Sequence, residues 1–256
     1  MDSSRRSLLR AGLRLGAVLG LAGTLPAAAW AEEPGDVAAV EDPAARLRRR
    51  LEVCRPPGDP LAELLHRNEA FAAVWQEAAA SGDPLERARL LQEHGALHCQ
   101  VRPEALASGQ RPWAAVLGCA DSRVAPEWLF ASGSGELFEV RSAGNTAFDA
   151  GVASLEYAVA ELQVPLILVM GHSGCGAVTA AMGTAPLTPL LEELVTPIRA
   201  ALRPGLDLAA AVAANARATA LALPRRSELL REAQASGRLR IEAAVADIGS
   251  GRVRVL

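Results

Sequence analysis

WAAVLGCADSR, residues 113–123, is an apolar run of strand length that passes directly into a thiol, a carboxylate and a guanidinium. Further along, LILVMGHSGCG (166–176) does the same, its apolar part giving way to an imidazole, three glycines and a second thiol. A third short run, LFEV at 137–140, lies between them. Runs of this kind without polar alternation predict strands at 113–118, 137–140 and 166–170 that are buried on both faces. Residues 151–162 have helical spacing, with Leu155, Val159 and Leu162 on one face. Strand, helix, strand implies a parallel sheet covered by helices. The polar residues at 119–123 and 171–176 then fall just past the carboxyl ends of parallel strands, where open α/β sheets place their sites.

Working outward, helices are predicted at 44–54, at 61–80 and at 84–97, the last with Asp83 as N-cap; Pro56, Pro57 and Pro60 break the first from the second. Toward the other end, helices are predicted at about 208–221 and 227–235. Residues 239–245 alternate, with Leu239, Ile241, Ala243 and Val245 on one face, as an edge strand does. Gly249, Ser250 and Gly251 turn the chain into a last strand at 252–256. The expected fold is α/β: a central, mostly parallel sheet of about four strands plus an antiparallel edge strand, flanked by helices, with an N-terminal helical arm.

The composition narrows the function. The 256 residues are 50% hydrophobic and 21% charged, which excludes a disordered chain and suits one sizeable domain. A net charge of −3 gives no reason to expect nucleic acid as a partner. There is no lysine, which excludes a P-loop lysine, a Schiff base and a lysine general base. SRRSLL at 4–9, an apolar run at about 15–25, and Ala29-Trp30-Ala31 together have the pattern of a twin-arginine export leader with an A-x-A cleavage site. The run is too short for a bilayer, which needs about 20 residues. The reading is therefore a signal peptide at 1–31, an N-terminal arm at 32–60 whose first part, to about Pro43, is acidic, and a catalytic domain at 61–256. The mature chain would be exported, periplasmic, without stable membrane insertion, and near −6 in charge once four arginines and an aspartate are removed.

Two thiols, an imidazole and a carboxylate (Cys119, Cys175, His172 and Asp121) have the types required for tetrahedral zinc. His172 and Cys175, three apart where a helix begins, can meet on one face, and Gly171, Gly174 and Gly176 let the backbone turn around an ion. A Cys119–Cys175 disulfide and a pair of buried thiols compete with that reading. Asp121 and Arg123, taken alone, read as a surface ion pair. Cys54 and Cys99 read either as a disulfide or as thiols. His94 and His98 read as a solvated helix face rather than a second metal site.

Residues 119–123 (CADSR) followed by Gly171-His172 and Cys175-Gly176 resemble the paired signature of the β-class carbonic anhydrases. The similarity continues through 135–138 (GELF), 141–145 (RSAGN) and 154–158 (SLEYA), and more weakly from 61 to the end. The resemblance implies one Zn2+ per subunit held by Cys119, His172 and Cys175. Asp121 would complete the ligand set in a closed form, or pair with Arg123 in an open form and leave that place to water. It implies reversible hydration of carbon dioxide to bicarbonate through zinc-bound hydroxide, with Asp121 and Arg123 as the catalytic pair. Two thiolates and one imidazole on the ion would raise the water pKa above that with three imidazoles, so activity is expected to rise with pH. Ala143, Gly144 and Asn145 would line the substrate pocket. The assembly would be a homodimer or a higher homo-oligomer. The same scaffold also fits a hydrolase of carbon disulfide or carbonyl sulfide, or a zinc-binding homologue without catalysis. Two features depart from the family pattern: a longer stretch at 78–106, and Ala246 where many relatives carry tyrosine.

Overall fold

The structure, a computed structural model, describes residue 56, residues 58–95 and residues 103–256. The expected leader, the helix at 44–54, most of the arm, Cys54, His98 and Cys99 lie outside the described residues. In chain order the elements are α1 (Pro60–Ala80), α2 (Pro84–Gly95), α3 (Pro103–Ala107), β1 (Ala114–Cys119), α4 (Pro126–Leu129), β2 (Leu137–Ser142) and α5 (Asp149–Ala160). There follow β3 (Leu166–His172), α6 (Gly176–Met182), α7 (Pro189–Ala201), α8 (Leu208–Arg226), α9 (Glu228–Ala235), β4 (Arg240–Ala246) and β5 (Val253–Val255).

The five strands form one sheet in the order β2-β1-β3-β4-β5, the first four parallel and β5 antiparallel to β4. Every residue of β1 and β3 is buried, as their continuous apolar runs predict. Alternate side chains feed two cores. Ala114, Val116, Leu168 and Met170 pack with Leu64 and Phe71 of α1, Ile198 of α7 and Val212 of α8. Ala115, Leu117, Ile167 and Val169 pack on the other face with Leu155 and Val159 of α5 and Leu230 of α9. Side-chain caps start several helices: Asp59 accepts from the Ala62 N–H, Asp207 from Ala210 and Ser227 from Leu230.

Buried polar groups tie α1 to the sheet. Arg67 pairs with Glu136 at 2.9 Å and lies 5.1 Å from the centroid of the Trp113 ring, while the Trp113 indole donates to the same carboxylate at 3.2 Å. Asn68 donates to the carbonyls of Leu129 and Gly251 and accepts from the Val253 N–H. Each polar atom buried this way has the partner that its desolvation demands.

Four expectations need correction. β2 is not buried on both faces: it is the sheet edge, and only Val140 is buried. β4 is not an edge strand, because β5 takes that place; the alternation of its sequence reports one half-covered face, not a missing neighbour. His94 does not face solvent: it is buried and its ring lies 5.5 Å from that of Phe71. Finally, α7 is a 13-residue helix that the sequence reading left out, with Pro197 in its interior obscuring the pattern.

Candidate metal centre

β1 and β3 are the adjacent strands from which the chain winds in opposite directions, so their carboxyl ends flank the topological switch point. Cys119 is the last residue of β1, His172 is the last of β3, and Cys175 is the N-cap of α6. All three are buried, and the two thiols are free rather than joined, which removes the disulfide alternative. One ligand atom from each residue lies within 4.8 Å of the others. Tetrahedral zinc with bonds of about 2.0–2.3 Å needs its donors roughly 3.5 Å apart, so a small contraction around an ion satisfies it.

The hydrogen bonds leave the donor atoms ready. His172 Nδ1 lies 3.0 Å from the Ser173 carbonyl, which makes Nδ1 the protonated nitrogen, while the buried Nε2 has no hydrogen-bond partner. An orphaned buried imidazole nitrogen facing two sulfurs is what a cation would satisfy. The Gly144 N–H donates to Cys119 Sγ at 3.3 Å. A hydrogen bond from Cys175 lowers the Cys119 thiol despite burial, and the Cys119 sulfur together with burial raises Cys175, so the pair holds one proton between them. Burial works against charging His172, but the Cys119 sulfur beside it outweighs burial and raises its pKa. A divalent cation bound there would replace the proton that the two sulfurs share.

Asp121 stands at the rim of this cluster, its Oδ2 3.8 Å from His172 Nε2. Arg123 holds it from three donors: the backbone N–H at 3.0 Å, Nε at 2.8 Å and a terminal nitrogen at 2.6 Å. The Arg123 hydrogen bond is the main force holding the Asp121 carboxyl well below the usual carboxylate range. This is the arrangement in which the carboxylate faces the arginine instead of joining the cluster. A cavity of about 460 Å³, walled by Phe71, Trp75, Trp128 and Ile248, reaches Arg123 but is lined by neither Asp121 nor the three ligand residues.

The remaining expected residues occupy one loop. Gly144 has φ +79°, and a Cβ there would lie 2.5 Å from Ile198 Cδ1, so any other residue meets backbone strain and must displace the Ile198 side chain. Asn145 is buried with φ +47° and its Nδ2 unpartnered, while Ala143 is half-buried. Of the three glycines around the second ligand pair, only Gly174 has positive φ; Gly171 is a strand residue pressed against Val212, and a Cβ at Gly176 would meet open space. The sequence reading gave no role to Arg141, Ser173 or Asn215. Arg141 donates to the Cys119 and Asp121 carbonyls, and Asn215 donates to the Gly144 carbonyl. Strand pairing brings Arg141 to the site and helix packing brings Asn215, so spacing carries no signal for those two, whereas Ser173 follows His172 in the chain.

Fold and site together define an α/β protein with a thiol–imidazole metal-binding group at its switch point. The family model for carbonic anhydrase matches residues 114–253. Carbonic anhydrase 2 of Mycobacterium tuberculosis is 39% identical over 156 residues, 57% of this chain and 75% of that one. A carbonic anhydrase of Pseudomonas aeruginosa is 46% identical over 93 residues, covering 34% of this chain and 42% of that one. Among solved structures, a Coccomyxa β-carbonic anhydrase superposes with TM-score 0.56 at 30% identity, covering 69% of this chain and 86% of that one. A tetrameric β-carbonic anhydrase of Sordaria macrospora superposes with TM-score 0.55 at 26% identity, covering 60% and 84%. The chain belongs to the carbonic anhydrase family, in its β class, and is an enzyme of that type.

Proposed function

We propose that this enzyme catalyses the reversible hydration of carbon dioxide to bicarbonate at a zinc centre held by Cys119, His172 and Cys175. The observation that carries the proposal is the convergence of two thiols and an unpartnered imidazole nitrogen beside an arginine-held carboxylate. Zinc, when bound, supplies Lewis acidity that lowers the pKa of a coordinated water toward neutrality. Two thiolates and one neutral imidazole balance the charge of a divalent cation, and the hydrogen bond from Nδ1 to Ser173 keeps the imidazole in the tautomer whose Nε2 lone pair faces the sulfurs.

Asp121 does the orienting. Kept ionised by Arg123, its Oδ2 can only accept a hydrogen bond, so it would accept one from the nucleophilic oxygen and orient that oxygen's lone pair toward the carbon of carbon dioxide, without itself becoming protonated. Arg123 in turn keeps the carboxylate from entering the ligand cluster. The burial of the cluster suits a small, uncharged substrate.

The test is stopped-flow carbon dioxide hydration by zinc-loaded protein. Activity that depends on zinc and falls at least a hundredfold in Cys175→Ser and Asp121→Ala is expected. Wild-type protein with zinc confirmed and no activity at neutral or alkaline pH would overturn the proposal and direct attention to carbon disulfide and carbonyl sulfide.

The assembly and its location are further parts of the proposal. The open edge at β2 and the half-exposed Tyr157, whose ring lies 6.3 Å from Phe138, support a homo-oligomer, the state named for the Sordaria relative. Among the described residues no helix is long and apolar enough to cross a membrane. The twin-arginine pattern supports export of the mature chain. Light scattering, and mass determination of the N-terminus after periplasmic extraction, check these two points.

A further inference from the structure

Strand register places Arg141 of β2 opposite Gly118 and Ser142 opposite Cys119, next to the segment that carries the first ligand and the catalytic carboxylate. From there the guanidinium reaches across the sheet end. Nε donates to the Cys119 carbonyl at 3.0 Å, and a terminal nitrogen donates to the Asp121 carbonyl at 2.8 Å. Between those two residues, the Ala120 N–H donates to the Ser142 carbonyl at 3.0 Å. The backbone at 119–121 is therefore stapled to β2 at three successive residues, two of them through one rigid planar fork.

We infer that Arg141 is a positioning residue that holds the Cys119–Asp121 backbone so that the carboxylate stays with Arg123 and out of the ligand cluster. The inference rests on the zinc reading of the site. Arg123 cannot do this alone. Its side chain is 54% exposed, and all its bonds to Asp121 lie within residues 121–123. Besides that of Arg141, the only hydrogen bond among the described residues to the Asp121 carbonyl is a longer one from the Val124 N–H at 3.3 Å. Asp121 Oδ2 is already 3.8 Å from His172 Nε2, so a modest rotation of residues 121–123 brings it in as a further donor. The bond from Arg141 to the Asp121 carbonyl opposes that rotation from the interior side. The one to the Cys119 carbonyl holds the ligand in place.

The geometry requires a fork, not merely a positive charge. Lysine carries a point charge on a flexible stem and cannot bridge two carbonyls in a fixed relation. The test compares wild type, Arg141→Lys and Arg141→Gln as full-length holoproteins. Each is loaded with cobalt(II) for absorption spectroscopy and with zinc for kinetics, after thermal unfolding confirms that it is folded. Thiocyanate is then titrated against the cobalt band. Wild type should show a saturable shift as the anion takes the open place. Both variants should need at least tenfold more thiocyanate, and their kcat should fall about ten- to a hundredfold with KM within about twofold. Arg141→Lys matching wild type would overturn the inference, since charge alone would then suffice. So would variants with lower melting temperatures but wild-type thiocyanate response and kcat, or failure of both to fold. Wild type taking up neither metal would overturn the zinc reading itself, a separate result.

Discussion

Glu139 sits half-buried on β2, where burial, followed by the charge of neighbouring Glu127, pushes its carboxyl up to about 7 in spite of Arg141. A raised carboxyl pKa means that folding favours the protonated form. Its contribution to stability is therefore fully present below the unfolded value near 4.5 and is lost as pH rises through about 7. Replacing it by glutamine should make the protein more stable than wild type at pH 8, by about 1–2 kcal/mol after allowing for partial solvent screening, with the gain nearly gone at pH 5. Urea unfolding at the two pH values checks this, and an equal difference at both would refute it. At this scale the sequence was legible wherever chemistry is written in residue types. Strand ends and spacing could bring Cys119, His172, Cys175 and Asp121 together as metal-ligand types, with a disulfide still open, while the catalytic reading of Asp121 with Arg123 rests on the family resemblance. Arg141 could be quoted but given no task, because its partners are backbone carbonyls on another strand.

Elements were legible where burial is uniform and ambiguous where it is not. β1 and β3 announce themselves because helices cover both of their faces, and the caps at Asp59, Asp207 and Ser227 mark where helices begin. The edge and interior assignments of β2 and β4 were reversed because polarity reports face coverage, whereas edge position depends on a neighbour that lies elsewhere in the sequence. The pairing of Arg67 with Glu136 is likewise invisible in sequence, since the partners are 69 residues apart. The loop after β2 shows how one element constrains another. Gly144 combines positive φ with a close approach to Ile198 of α7, and its N–H faces the Cys119 sulfur. Gly144→Ala should cost about 2 kcal/mol or more, from backbone strain plus overpacking. Adding Ile198→Val, which removes the clashing Cδ1, should recover the part of the overpacking due to Ile198 but neither the strain nor the contact with the Ala177 Cβ at 3.1 Å. Thermal unfolding of the two single variants and the double variant separates these parts. Strict additivity would mean that α7 does not press on the loop.

For the whole molecule the question is how much of the fold depends on the metal. The proposed ligands come from the end of β1, the end of β3 and the start of α6, so zinc would fasten together elements that already touch. β1 and β3 pair along their length, and both sheet faces carry apolar cores drawn from at least three helices each. That differs from a small zinc domain, in which the ion replaces a core and its removal unfolds the chain. Removal should therefore leave a cooperative, folded protein, less stable by the binding energy it forgoes. A cation present at a thousand times its dissociation constant adds about 4 kcal/mol. At this chain length each kcal/mol moves the midpoint by about 2–4 °C, so the chelated protein should melt roughly 10 °C lower with its far-UV circular dichroism unchanged at 25 °C. Calorimetry of zinc-loaded and chelated protein in the same buffer decides it. Loss of structure on chelation would show that the sheet ends cannot hold without the ion. An unchanged midpoint would show that the two thiols and the imidazole bind no zinc, and the proposed reaction would lose its centre.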